Sequence, residues 1–276
     1  MTKVTGNYLI AGKQLVPVAE FDDYVVDQND TIYEVLRVIH FKPLFIGEHV
    51  DRLIRSMMLK KINISDSRAQ IIQNIKWLIE NNDLPDGNIR FQFNNNDIRQ
   101  FCAWYVPAYY PTDKQYREGV PVMTFSAARQ NPNIKTRDIE LRQEADEFIR
   151  QQGIYEAILV NNDGYLTEGS RSNIFFIEGD IFVTPPLSFV LPGVTRQKII
   201  ELIRNNQLKV KEEIIRQEEL KHFSSCFITS TSAKVLPVSS VNGIITDVNN
   251  DWLKKISEQY NQLINDYLEK FNWSDI

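Results

Sequence analysis

The segment YLTEGSRSNIFFI, at residues 165–177, combines side chains that could do chemistry. A carboxylate, an arginine, an asparagine and several hydroxyls stand together where an apolar strand begins. A hairpin with only a structural role does not need Glu168, Arg171 and Asn173 at that point. These groups donate and accept hydrogen bonds, and a carboxylate can also hold or move a proton. We therefore interpret the segment as part of a functional site.

A second candidate is the segment LPGVTRQKII, at residues 191–200. It predicts a helix that follows a Pro-Gly turn and has Thr195 as its cap. The first amides of a helix and its dipole form an anion site that suits phosphate, although an ordinary capped helix that binds nothing has the same pattern. Thr231 and Ser232, in STSAKV, could add hydroxyls to such a site or could belong to a polar loop.

Two cationic side chains are further candidates. Arg52, in HVDRL, could bind a phosphate with both arms of its guanidinium group. It could equally form a helical salt bridge with Glu48, four residues earlier. Lys135, in NPNIKTRD, reads as a surface lysine when it is taken alone. Any chemical role for Lys135 therefore depends on the residues that the fold brings beside it.

The first half of the chain predicts short strands and two helices. The first helix is expected to bury Val50, Leu53, Ile54, Met57 and Met58. The second is expected to begin with a capping box, in which a Ser and a Gln three residues later satisfy each other's backbone amides. The predicted strands are NYLIAG, KQLVPV, 33–41, NIRFQF and FCAWYVPAYY, and the predicted helices are EHVDRLIRSMMLKK and 67–81.

The second half predicts more strands, with helices over 137–152, TRQKIIELIRNN and 249–271. Glu178-Gly179-Asp180 is typical of the turn of a hairpin. Three prolines in 107–122 indicate a domain boundary. We predict an α+β protein with a small N-terminal α/β domain at 1–115 and a larger C-terminal domain at 116–276. The predicted strands are PVMTFSA, YEAILVN, YLTEG, NIFFIE, DIFVTP, CFITST and AKVLPV.

Composition argues against several classes of protein. The net charge of −5 disfavours a nucleic-acid partner. Cys102 and Cys226 lie in apolar stretches that favour buried, reduced thiols. The chain has no CxxC and only scattered histidines, so we expect no metal site. Its N-terminal stretch has no apolar signal-peptide core, and it has no apolar run of membrane-spanning length. We therefore expect a cytoplasmic protein without membrane contact.

In their order along the chain, these segments resemble the class IV, or fold-type IV, aminotransferase family, which uses pyridoxal 5'-phosphate. The likeness extends from about Tyr33 to Val238 and is strongest over TEGSRSNIFFI and VTPPLSFVLPGVTR. The family includes branched-chain and D-amino acid aminotransferases and aminodeoxychorismate lyases. The resemblance implies a two-domain fold whose C-terminal domain has a mixed, barrel-like sheet with helices.

The resemblance also implies a role for each matching residue. Lys135 matches the catalytic Schiff-base lysine. Glu168 matches the carboxylate that keeps the ring nitrogen of the cofactor protonated, which makes the ring an electron sink. The other matching positions are Arg52, Val194, Thr195 and Thr231 at the phosphate, Leu191 on the ring face, Ser172 and Asn173 at the cofactor edge, and Tyr33, Arg99 and Ser232 on the substrate side.

These matches imply transfer of the amino group of a small α-amino acid to a 2-oxo acid, by a homodimer with ping-pong kinetics. Two alternatives stay open: a 4-amino-4-deoxychorismate lyase, and a binding protein that kept the fold without the chemistry. The substrate half departs from known patterns. Glu140 stands where branched-chain enzymes commonly have tyrosine, and Arg99 lacks the histidine that follows it in the Arg-x-His of D-amino acid enzymes.

Overall fold

The computed structural model describes residues 4–26, 28–64, 66–94, 100–129 and 131–276. It has the predicted α+β class and divides into two compact units. Unit 1 contains the residues up to Tyr109 together with Ile134–Asp138 and Ile264–Ile276, and unit 2 contains Tyr110–Asn133 and Ile139–Leu263. Two short segments from beyond residue 116 therefore belong to unit 1.

Unit 1 is built on a six-stranded sheet with antiparallel pairing. The strands are β1 (Thr5–Ala11), β2 (Gln14–Pro17), β3 (Tyr33–Ile39), β4 (Lys42–Pro43), β5 (Gly87–Phe93) and β6 (Phe101–Val106). Their order is β2-β1-β6-β5-β3-β4, which places β5 inside the sheet between β6 and β3. The helices are α1 (Phe21–Tyr24), α2 (Ile46–Leu59) and α3 (Arg68–Asn82).

The two longer helices of unit 1 form where the sequence predicts them. The capping box of α3 is confirmed, because Gln70 N–H donates to Ser67 Oγ (3.3 Å) and Ser67 N–H donates to Gln70 Oε1 (2.7 Å). α2 buries Leu53 and Met57 as predicted. The prediction for Met58 is wrong, since its residue is 70% exposed. It lies at the edge of the apolar stripe, next to the end of the helix.

Unit 2 is built on a nine-stranded mixed sheet. The strands are β7 (Val120–Ser126), β8 (Glu156–Val160), β9 (Leu166–Gly169), β10 (Asn173–Glu178), β11 (Ile181–Thr184), β12 (Lys209–Glu212), β13 (Ser225–Ser230), β14 (Lys234–Val241) and β15 (Ile244–Ile245). The helices are α4 (Asp113–Glu118), α5 (Ile139–Gln152), α6 (Val194–Asn205) and α7 (Asp251–Lys270), the last of which continues into unit 1.

The sheet of unit 2 has the predicted barrel-like form. Its order is β12-β11-β10-β13-β14-β7-β8-β9, with β15 paired to β14. The strand β9 also contacts β10, which lies five places away in this order, so the sheet curls back on itself. The predicted Glu178-Gly179-Asp180 turn joins β10 and β11, and Gly179 has the positive φ of 62° that glycine accommodates.

Both cysteines are buried free thiols, as predicted. Burial raises the pKa of Cys102 to about 12, so this thiol stays protonated at neutral pH. Among the described residues, no helix is long and apolar enough to cross a membrane. The same part of the chain has no cluster of His, Cys, Asp or Glu side chains that could hold a metal ion.

Candidate active site

Lys135 lies in the short segment Ile134–Asp138, which belongs to unit 1 and lies beside the start of β3. Tyr33 N–H donates to the carbonyl oxygen of Lys135 (3.1 Å), and Arg137 N–H donates to that of Thr31 (2.8 Å). The Nζ atom of Lys135 lies 5.1 Å from the centre of the Tyr33 ring. Tyr33 is buried and Lys135 is half-buried. The lysine amine is therefore held against an aromatic side chain that the resemblance places on the substrate side.

Arg52 lies on α2 and binds a buried carboxylate from β3. Its Nε and Nη2 atoms donate to the two carboxylate oxygens of Glu34, each at 2.7 Å. Nδ1 of His49 lies 2.9 Å from Glu34 Oε2. Burial raises the pKa of Glu34, but Arg52 and His49 outweigh this effect and lower the pKa to about 2. Glu34 is therefore ionised at neutral pH and fixes the direction of the Arg52 side chain.

The sequence motifs did not indicate Glu34 or His49 as site residues. The available signal was an acidic residue in the apolar strand YEVLRVIHF, one residue after Tyr33. The helical pattern instead suggested Glu48 as the carboxylate beside Arg52, because spacing along one helix says nothing about a neighbouring strand.

We expect the free energy of unfolding to decrease as the pH is lowered, in part because of His49. Burial lowers the pKa of His49; the Glu34 hydrogen bond opposes that effect, and the charges of Arg52 and Lys135 add to it. The native state then resists a proton that the unfolded chain accepts below about pH 6.5, so stability is lost as the pH falls. Urea unfolding between about pH 7.5 and 5.5 measures this loss. The free energy of unfolding should decrease less for His49→Gln than for wild type, by up to about 1.4 kcal/mol per pH unit. Equal losses would contradict the expectation.

Glu168 lies in β9 and is 3% exposed. Its Oε2 atom accepts hydrogen bonds from Leu191 N–H (3.0 Å) and from Nδ2 of Asn173 (3.3 Å). Its Oε1 atom lies 3.1 Å from Nε of Arg129, in an ion pair whose angle falls outside the hydrogen-bond range. Arg129 also donates to the carbonyl oxygen of Ser170 (2.9 Å). The carboxylate of Glu168 is therefore fixed in direction.

Asn173 connects Glu168 to the turn before α6. Its Nδ2 atom also donates to the carbonyl oxygen of Leu191 (3.0 Å). A Cβ atom at Gly193 would collide with Oδ1 of Asn173, so this close approach requires glycine. Glu168, Asn173, Leu191 and the start of α6 are thus brought together within unit 2.

The start of α6 differs from the prediction in one respect. Gly193 is the N-cap residue and has an extended backbone conformation. As a glycine, it has no side chain that could accept a hydrogen bond from the first amides of the helix. The prediction that Thr195 is the cap is wrong: Thr195 lies in the first turn, where its Oγ1 accepts from the Tyr260 hydroxyl (3.4 Å). The first turn contains no acidic residue. Its amides are suited to an anion, because the helix dipole is not offset there by a side-chain carboxylate.

The loop between β9 and β10 is held by the buried carboxylate of Glu156, which the sequence motifs did not indicate. Ser170 Oγ donates to Oε1 of Glu156 (2.7 Å), and Ser172 Oγ (3.0 Å) and Arg171 N–H (3.2 Å) donate to its Oε2. The Arg171 side chain binds Asp146 on α5 (2.7 Å), which braces the loop. The signal for Glu156 was an acidic residue at the start of the buried run EAILV.

Glu156→Ala should lower the free energy of unfolding by about 3 kcal/mol, because several buried donors of this loop lose their acceptor. Glu156→Gln keeps the side-chain volume and one acceptor, so we expect a smaller loss of about 1 kcal/mol. The exposed Glu178 provides a control, and Glu178→Ala should change stability by less than about 0.5 kcal/mol. Urea unfolding measures all three changes. A Glu156→Ala protein as stable as the control would contradict this role.

The remaining candidate residues have these positions. Thr231 and Ser232 lie half-buried in the turn between β13 and β14, and Arg99 lies outside the described residues. Leu191 and Val194 are buried. The candidates fall into two groups: Tyr33, Arg52 and Lys135 in unit 1, and Glu168, Ser172, Asn173, Leu191, Val194, Thr195, Thr231 and Ser232 in unit 2.

Comparison with known proteins identifies the family. Residues 31–241 match the family described as Amino-transferase class IV. The chain is 28% identical to D-alanine aminotransferase of Bacillus licheniformis over 237 residues, or 81% of this chain and 83% of that one. It is 28% identical over 236 residues to a probable branched-chain-amino-acid aminotransferase of Rickettsia bellii, covering 78% of each.

A solved structure supports the same assignment of the fold. The PLP form of the branched-chain amino acid aminotransferase from Thermobaculum terrenum superimposes with a TM-score of 0.79, at 20% identity and over 95% of each chain. The chain therefore belongs to the class IV aminotransferase family, which uses pyridoxal phosphate.

Proposed function

We propose that this protein binds pyridoxal 5'-phosphate and transfers the amino group of a small α-amino acid to a 2-oxo acid, as a homodimer. The observation that carries the proposal is the buried carboxylate of Glu168, held by Leu191 N–H beside a helix start that has no side-chain cap. A ring nitrogen and a phosphate group are the parts of this cofactor that such an arrangement suits.

The chemistry of the donor set fits the cofactor. In unit 2, the first amides of α6 together with Thr195 and Thr231 would hold the phosphate, and Glu168 would hold the ring nitrogen. Leu191 would pack on the ring face, with Ser172 and Asn173 at its edge. In unit 1, Lys135 would bind the aldehyde. We propose that Arg52, which Glu34 keeps in a fixed direction, adds a positive charge at the phosphate.

When it is bound, pyridoxal phosphate supplies an electron sink for the negative charge that develops at the substrate α-carbon. Glu168 holds a proton at the ring nitrogen, which strengthens that sink. Once the substrate amine has replaced it on the aldehyde, the free amine of Lys135 would take the α-proton as a general base and then give it back as a general acid. The α6 amides and Arg52 keep the phosphate in place while Lys135 moves the proton.

An amino-donor panel tests the proposal. Purified protein supplied with pyridoxal phosphate is incubated with 2-oxoglutarate and the L or D form of alanine, leucine, isoleucine and valine, and amino transfer is measured as glutamate formed. A parallel incubation with aminodeoxychorismate measures pyruvate release. We expect amino transfer with at least one donor. Pyruvate release without amino transfer would contradict the proposal and identify a lyase.

A further inference from the structure

We propose that Tyr260 is a positioning residue for the cofactor phosphate and acts through the hydroxyl of Thr195. The inference rests on the proposed function, because it takes the first turn of α6 as the place where this phosphate binds. Tyr260 lies on α7, in the part of that helix that belongs to unit 2, and is 2% exposed. Thr195 belongs to the same unit and is 5% exposed. The two side chains therefore meet inside one unit and away from bulk solvent.

Tyr260 brings a polar group to the buried side of α7. Among the described residues of this helix, those that are buried are Leu253, Ile256, Tyr260 and Ile264, and the tyrosine alone has a hydroxyl. A buried hydroxyl costs free energy unless it is hydrogen-bonded, so apolar packing alone would favour phenylalanine at this position. The Tyr260 hydroxyl donates to Oγ1 of Thr195 (3.4 Å). The polar group is therefore directed at the first turn of α6.

The direction of this hydrogen bond decides what the Thr195 hydroxyl can do next. A hydroxyl donates one hydrogen bond and accepts up to two. A phenol is more acidic than an aliphatic alcohol and is the stronger donor, which favours donation from Tyr260 to Thr195. Within the described part of the chain, the Thr195 hydroxyl donates to no protein acceptor. Its one proton can therefore point at a bound group that only accepts hydrogen bonds.

A phosphate group is an acceptor of this kind, because its outer oxygens carry negative charge at neutral pH. Thr195 is the second residue of α6, where the first amides of the helix have no acceptor within it. A hydroxyl that accepts one hydrogen bond becomes a better donor of another, and this effect is stronger in a buried site than in water. Tyr260 therefore fixes the direction of the Thr195 proton and strengthens the hydrogen bond that Thr195 donates to the phosphate.

Tyr260→Phe tests the inference, because phenylalanine keeps the buried ring and removes only the hydroxyl. Thr195→Val removes the hydroxyl that Tyr260 directs, and the double variant combines both changes. Tyr105→Phe is the matched control: Tyr105 is buried in unit 1, and its hydroxyl donates to the carbonyl oxygen of Leu84 at the same distance of 3.4 Å. Both tyrosine variants therefore lose one buried hydrogen bond of equal length. Thermal unfolding establishes that each variant folds before it is compared.

Absorbance titration of the full chain, freed of cofactor by dialysis, measures the Kd of pyridoxal 5'-phosphate and of pyridoxal, which lacks the phosphate. Tyr260→Phe should raise the Kd of pyridoxal phosphate about 5- to 10-fold and that of pyridoxal by less than about twofold. In the Thr195→Val background the same change should have less than about a twofold effect, because the proton that Tyr260 directs is gone. Phosphorus NMR of the loaded protein should show a shifted phosphate resonance in Tyr260→Phe and an unshifted one in Tyr105→Phe.

An unchanged Kd of pyridoxal phosphate in Tyr260→Phe, or an unshifted phosphate resonance, would overturn the inference and leave the proposed function intact. An equal rise in the Kd of pyridoxal would also overturn it, and so would an equal effect of Tyr260→Phe in the Thr195→Val background. Either pattern indicates that the hydroxyl only holds α7 against α6. Wild-type protein that binds no pyridoxal phosphate would overturn the proposed function, and this inference with it.

Discussion

Replacement of Lys135 by alanine is expected to lower kcat for amino transfer by about 10³-fold or more, with little change in stability. The amine would act both as the attachment point of the cofactor and as the group that moves the α-proton, and general acid–base catalysis alone contributes about 10²–10⁴-fold. Lys135 is half-buried, and its backbone hydrogen bond to Tyr33 does not depend on its side chain. Initial rates with the best amino donor and urea unfolding measure the two effects.

Two further variants make the Lys135 result specific. Lys114→Ala removes an exposed lysine of α4 and should leave kcat within about twofold of wild type. Lys135→Arg keeps a positive charge but cannot release a proton near neutral pH, so it should be as inactive as Lys135→Ala. Partial recovery of Lys135→Ala by added methylamine would point to loss of the amine itself. Activity within tenfold of wild type would show that Lys135 is not the catalytic lysine.

Glu168→Gln should lower kcat by about 100-fold while the protein stays folded and retains its cofactor. This magnitude is typical for the loss of one side chain that stabilises the charge formed in the transition state. Glutamine preserves a carbonyl oxygen for the Leu191 N–H donor, so the turn before α6 keeps its contact. An amide cannot hold a proton at the ring nitrogen, so the electron sink weakens. The absorbance spectrum of the bound cofactor should change together with the rate.

The matched control for Glu168 is Glu178→Gln, an exposed glutamate at the end of β10. It should alter neither rate nor spectrum. Glu168→Ala should be less stable by about 3 kcal/mol or more, because Leu191 N–H and Asn173 Nδ2 lose their buried acceptor and the half-buried Arg129 loses its carboxylate in this ion pair. A Glu168→Gln protein with the wild-type kcat and spectrum would show that Glu168 does not hold the ring nitrogen.

Local patterns predicted the elements of the fold well. The Ser67 capping box, the turn at Gly179 and the strand that begins at Tyr33 depend on residues close together in sequence, and each appears where the pattern places it. The cap of α6 was assigned to the wrong residue, because Thr195 is a favourable cap by type. The N-cap position instead requires glycine, because a Cβ atom at Gly193 would collide with Oδ1 of Asn173, which is distant in sequence.

Contacts between distant segments could not be predicted from the sequence alone. Glu34 meets Arg52 across a strand and a helix, and Glu156 holds a loop that lies more than ten residues further along the chain. Arg129 has no distinctive neighbours in SAARQNPN, yet it lies against Glu168. Such pairings follow from strand order and curvature, which residue spacing does not encode.

The most direct test of the central claim is to reduce the purified protein with borohydride in the presence of pyridoxal phosphate and to map the modified peptide by mass spectrometry. We predict one phosphopyridoxyl group per chain, on Lys135. Modification that is absent, spread over exposed lysines or located on a different lysine would contradict the proposal that the amine of Lys135 and the carboxylate of Glu168 serve one cofactor.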